Sequence, residues 1–82
     1  MNIKENMSII MRKEAEAIQN IVVTDDFEAS INLAMTCPGK VITTGIGKAG
    51  FMAQKFAATL SSTGTPSFFI HPAEAGHGDL GM

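Results

Sequence analysis

The segment from Lys40 to Ile70 constrains the fold more than any other part of the chain. Lys40-Val41-Ile42-Thr43-Thr44 is a short β-branched run, the composition of a strand buried on both faces. It passes directly into Gly45-Ile46-Gly47-Lys48-Ala49-Gly50. A helical stretch follows, with Met52, Phe56 and Leu60 on one side and Ala49, Ala53 and Ala57 as a small-residue stripe. Ser61-Ser62-Thr63-Gly64 closes that helix, and Thr65-Pro66 opens a second strand, Ser67-Phe68-Phe69-Ile70. Strand, glycine loop, helix, strand is a βαβ unit, so the two strands are expected to run parallel with a right-handed crossover.

Two helices are predicted ahead of this unit. From Ile3 to about Val22, the residues Ile3, Met7, Ile10, Met11, Ile18 and Ile21 recur on one broad stripe suited to core or subunit packing. Thr24-Asp25-Asp26-Phe27-Glu28 then reads as a helix start, with Asp25 as the cap and Glu28 reaching back. Phe27, Ile31, Ala34 and Met35 carry the second helix until Pro38-Gly39 ends it. The expected architecture is α/β, the front portion of a doubly wound parallel-sheet domain of flavodoxin-like type. Residues 1–37 supply the N-terminal helices, and residues 40–82 the βαβ unit and a terminal His-Gly-Asp loop.

Size and charge narrow the functions available. A chain of 82 residues buries only roughly 60–65% of its unfolded surface, near the limit of independent stability. Two strands with no third leave apolar sheet faces uncovered, which is why an incomplete domain is expected. Six Lys+Arg against eight Asp+Glu give a net charge of −2, which offers no electrostatic footprint for nucleic acid or an anionic membrane. The longest uncharged stretch contains Gly64, Pro66, His71 and Pro72 and does not suit a membrane span. The mixed-charge start leads into no apolar signal region. Cys37 is the one cysteine, so no intrachain disulfide forms, and a reducing, cytoplasmic setting is expected.

Two constellations can carry chemistry. Gly45-x-Gly47-x-x-Gly50 has dinucleotide-binding spacing, but the ribose-binding acid expected after the second strand is replaced by His71, and Lys48 is an extra cation. A P-loop is excluded: Ile42 stands where its first glycine belongs, and Ala49 where Ser or Thr would hold magnesium. The loop suits a small anion instead, with Lys48 where a helix N-terminus already favours negative charge. The second constellation is His71-Pro72-x-Glu74-Ala75-x-His77-Gly78-Asp79. His71 follows the second strand, so it belongs at the carboxyl edge of the sheet, the same edge as the glycine loop. Lys48, His71 and His77 are therefore expected to converge, and imidazoles suit acid–base work near neutral pH. The spacing of these residues matches no zinc signature. Glu74 reads equally well as part of a short helix after Pro72.

These segments together resemble the sugar isomerase (SIS) domain of the KpsF/GutQ branch, the arabinose-5-phosphate isomerase family. The similarity is dense over residues 39–82, and most specific in Ser62-Thr63-Gly64-Thr65-Pro66-Ser67-Phe68-Phe69 and His71-Pro72-Ala73-Glu74-Ala75-x-His77-Gly78-Asp79-Leu80-Gly81. The resemblance implies interconversion of D-ribulose 5-phosphate and D-arabinose 5-phosphate, which supplies the lipopolysaccharide sugar Kdo, with no redox cofactor. It implies Lys48 as a catalytic residue, and His71 and His77, with Gly45 and Gly47 of the loop, as substrate contacts. It implies an inhibitory zinc at His71. Gly64 and Thr65 are also implied to touch substrate, although they precede the second strand, at the far end of the sheet. Only a site completed between subunits reconciles that, and the resemblance implies a homotetramer. Ala49 departs from the Ser usual after the lysine. The family's serine-rich phosphate loop, paired glutamates and later histidine would all fall beyond Met82. Three readings stay open on these grounds: an isomerase of which this chain is the front, a sugar-phosphate sensor, and an inactive truncated product.

Overall fold

Local chemistry explains most of the element boundaries in this computed structural model, which describes residues 1–82. Helix α1 spans Ile3–Gln19, and its start is set by Asn2, whose side-chain oxygen accepts the Glu5 N–H at 3.0 Å. It ends earlier than the apolar spacing suggests, because Ile21-Val22-Val23 is a β-branched run that loses rotamer freedom in a helix. Helix α2 spans Asp25–Met35. Its cap is Thr24 rather than Asp25, with no side-chain capping bond, so the expected capping box does not form. Asp25, Asp26 and Glu28 instead stand in the first turn, where the helix dipole favours negative charge.

Strand β1 (Val41–Thr43) and strand β2 (Ser67–Phe69) pair in parallel, in the register Val41↔Ser67, Ile42↔Phe68, Thr43↔Phe69. Helix α3 (Gly47–Ser62) crosses between them and packs on one face of the sheet. The strand ladder is extended at both ends, by Val41 N–H to the Pro66 carbonyl and by Ile70 N–H to the Thr43 carbonyl, each 2.9 Å. After β2 come a short helix α4 (Pro72–Ala75) and a single 3-10 turn at Asp79–Gly81.

The covered stripe of α3 is Gly50, half-buried Ala53 and Ala57; it keeps Ala53 and Ala57 of the expected stripe but has Gly50 in place of Ala49, which is exposed. Small residues there bring the helix backbone close enough for Thr43 Oγ1 to donate to the Ala53 carbonyl at 2.7 Å. Met52 and Phe56 consequently face away from the sheet and are exposed, and Leu60 is half-buried. Only one sheet face is covered. Thr43 is 8% exposed whereas Ile42, pointing the other way, is 52% exposed, which corrects the expectation of a strand buried on both faces.

Helix α1 stands apart from this unit. All its residues except the half-buried Ile9 are exposed. The radius of gyration is 17.4 Å, against about 12 Å for a compact domain of this length. The apolar stripe anticipated on α1 therefore exists, but nothing in this chain covers it.

Candidate functional site at the carboxyl edge of the sheet

The glycines that start α3 are required by one another before any ligand is considered. A Cβ on Gly50 would lie 2.6 Å from the Gly45 carbonyl oxygen, and one on Gly45 would lie 2.9 Å from the Ala49 and Gly50 backbone. Gly47 has open space around it but a φ of +62°, in the left-handed region that glycine tolerates. The helix consequently begins at Gly47, inside what reads in sequence as loop, and Lys48 falls in its first turn.

That tight start leaves donors free. The N–H groups of Gly47, Lys48 and Ala49 have no partner in the chain, and the first bonded amide is that of Gly50, to the Ile46 carbonyl at 3.4 Å. No side chain caps the helix either. Three unpaired N–H groups, the positive end of a 16-residue helix and the exposed Lys48 ammonium make an anion-attracting corner.

At the same sheet edge lie the end of β2, His71 and α4. Thr44 Oγ1 donates to the Ile70 carbonyl at 2.6 Å, tying the entry of the glycine loop to the residue before His71. Ile70 is 6% exposed, so the backbone carrying His71 is anchored in the small core. His71 then caps α4: its Nδ1 accepts the Ala73 N–H at 3.1 Å, while its ring meets Phe69 edge-on at 6.4 Å. With Nδ1 an acceptor, the proton of the neutral imidazole sits on Nε2. His77 is exposed on the next turn, its N–H bonded to the Glu74 carbonyl at 2.9 Å. Glu74 lies within α4, as the helical reading of that residue holds.

The structure thus brings Lys48, Gly45, Gly47 and His71 to one sheet edge, with His77 on the adjoining turn. It does not bring Gly64 and Thr65 there. They precede β2 beside Val41, at the opposite edge, next to an apolar cavity of about 400 Å³ lined by Ile31, Met35, Phe56, Leu60 and Thr65 among others. That cavity has the wrong character for a phosphate and lies away from the free N–H groups. Nor do these residues alone form a zinc site. No three His, Cys, Asp or Glu side chains gather anywhere in the chain. A metal at His71 Nε2 would also have to displace the proton that the Nδ1 cap places there. Thr44 escapes notice in the sequence, where it is merely the last β-branched residue. A hydroxyl directly before the glycine turn is the only signal for it.

Free main-chain donors at the start of a crossover helix, at the carboxyl edge of a parallel sheet, stand where open α/β folds bind anionic ligands. No family model matches the chain. Over 58 residues it is 62% identical to arabinose 5-phosphate isomerase GutQ of Escherichia coli strain K12, covering 71% of this chain and 18% of that protein. Over 75 residues it is 51% identical to arabinose 5-phosphate isomerase KpsF of Escherichia coli, covering 88% and 23%. Among solved structures, a phosphosugar isomerase involved in capsule formation from Bacteroides fragilis superposes with a TM-score of 0.89 and 45% identity, over 98% of this chain and 44% of that one. A protein of E. coli CFT073 in complex with arabinose 5-phosphate gives 0.79 and 44% identity, over 100% and 46%. The chain spans 18–23% of the length of these curated relatives. Over that span its sequence and fold place it with the SIS-type KpsF/GutQ family.

Proposed function

We propose that the protein carrying these residues interconverts D-ribulose 5-phosphate and D-arabinose 5-phosphate. The observation that carries this reading is the placement of Lys48, three unpaired N–H groups and His71 at one sheet edge, in a chain 62% identical over 58 residues to an arabinose 5-phosphate isomerase. The reaction moves a proton between C1 and C2 through an enediol and needs no redox cofactor. Its charge develops on one oxygen, which Lys48 stabilises while the helix start attracts the anionic end of the substrate. His71, held with Nε2–H outward by its cap, donates a hydrogen bond to a substrate oxygen, and His77 supplies a second contact. Should zinc inhibit the enzyme at His71, its other ligands come from beyond these residues.

The remaining parts of the proposal concern assembly and setting. The uncovered stripe of α1 supports a homo-oligomer, a tetramer on the family pattern. The distance of Gly64 and Thr65 from the loop supports a site shared between subunits. No helix is long and apolar enough to cross a membrane, and we place the enzyme in a bacterial cytoplasm, feeding Kdo and hence lipopolysaccharide synthesis. Incubating the full-length protein with D-ribulose 5-phosphate and resolving the products tests the reading. Formation of D-arabinose 5-phosphate supports it. Binding of either sugar phosphate without turnover would make the protein a sensor instead.

A further inference from the structure

One side chain at this edge does something that neither the ladder nor the glycine loop explains. In a parallel ladder the bonds alternate along the strand at even spacing. Ile70 donates its N–H to the Thr43 carbonyl, so the next rung would be the Gly45 N–H donating to the Ile70 carbonyl. That rung is absent. The Ile70 carbonyl takes the Thr44 hydroxyl at 2.6 Å in its place, and the N–H of half-buried Gly45 has no partner in the chain. A buried or half-buried amide without a partner is uncommon, because its desolvation is not repaid.

We infer that Thr44 is a positioning residue whose hydroxyl, by occupying the Ile70 carbonyl, releases the Gly45 N–H to donate to an oxygen of the bound sugar phosphate. The inference rests on the proposed isomerase reading for the identity of the ligand, and on the geometry alone for the release of the amide. The hydroxyl lets the chain leave the sheet one residue early while the strand ends stay joined. Gly45 can then turn into the close approach with Gly50 that opens the helix. Gly45 N–H thereby joins the free amides of Ile46, Gly47, Lys48 and Ala49 as a main-chain donor at the same edge.

The test compares wild type with Thr44→Val, which keeps the shape and loses the donor, and Thr44→Ser, which keeps the donor, all in the full-length protein. Residue-level amide hydrogen exchange reads the release directly. Gly45 is expected to exchange freely in the wild type and in Thr44→Ser, and at least about tenfold more slowly in Thr44→Val, where its N–H closes onto the Ile70 carbonyl. Steady-state kinetics on D-arabinose 5-phosphate reads the consequence. Loss of one ground-state donor raises KM about three- to tenfold in Thr44→Val with kcat held within about twofold, and Thr44→Ser restores KM. Protection of Gly45 in the wild type, or equal exchange in all three proteins, overturns the inference even if the enzyme is active. So does a Thr44→Val variant that shows the exchange change but an unaltered KM. A wild-type protein with no isomerase turnover overturns the functional reading instead, and the exchange comparison then still decides whether Thr44 releases the amide.

Discussion

The carbonyl oxygen of Gly45 lies against Gly50 so closely that a methyl group added there would stand 2.6 Å from it. Both partners are main chain, so no side-chain adjustment relieves the overlap. Gly50→Ala is expected to destabilise the full-length protein by about 1–3 kcal/mol, the usual range for overpacking. Gly47→Ala meets no atoms but carries a φ of +62°, and about 1–2 kcal/mol is expected from that backbone strain. Gly76→Ala, with open space and a φ of −73°, serves as the neutral control. Denaturant midpoints rank the three, and a Gly50→Ala midpoint equal to that of Gly76→Ala would refute the loop geometry.

Lys48 lies in the first turn of α3 and is exposed, so its removal disturbs no packing. Lys48→Ala should therefore leave the melting temperature unchanged. If its ammonium faces the developing enediolate oxygen, kcat falls on the order of 10²–10³. A fall in melting temperature together with kcat would show a structural lysine, and no change in either would show a solvated one.

His71 has two jobs that one substitution can separate. Its Nδ1 caps α4 by accepting the Ala73 N–H at 3.1 Å, and its Nε2–H is left for a ligand. Asparagine is among the best N-cap residues, so His71→Asn keeps an acceptor for Ala73 while removing the imidazole. His71→Ala removes both. Equal losses of activity in the two variants are expected, because the proposed substrate contact resides in the ring. Near-normal activity in His71→Asn would reduce His71 to a cap.

The βαβ unit was legible because three independent signals agree: a β-branched run from Val41 and an aromatic one at Phe68-Phe69, glycine spacing between them, and a helical repeat up to Leu60. The placement of Lys48 and His71 at one sheet edge followed from topology alone, since both parallel strands end there. What the sequence did not reveal depends on backbone close approach. The small-residue stripe could be drawn through Ala49 or through Gly50, and only the close approach of Gly50 to the Gly45 carbonyl fixes the choice. The cap of α2 fell on Thr24 because Asp25 is drawn into helical geometry, a one-residue difference that composition does not encode. Thr44 was invisible for a similar reason: a β-branched residue ending a strand looks the same whether or not its hydroxyl replaces a rung.

Helix α1 presents Ile3, Met7, Ile10, Met11 and Ile18 to solvent, all more than half exposed, along a helix of 17 residues. Apolar surface left in water costs roughly 25 cal/mol per Å², and contiguous patches of this kind mark interfaces. The stripe can be covered by another copy of the chain or by later residues of the same one, and the double substitution Ile10→Glu, Ile18→Glu distinguishes these. Neither residue packs against the βαβ unit here, so the unit itself should fold unchanged. If α1 joins subunits, light scattering on the full-length variant reads a lower mass than the wild type while circular dichroism stays the same. A site shared between subunits then loses turnover as well, although both substitutions lie on α1, outside the Lys48–His71 edge. An unchanged mass with a lowered melting temperature would place α1 against its own chain and remove the support it gives to assembly.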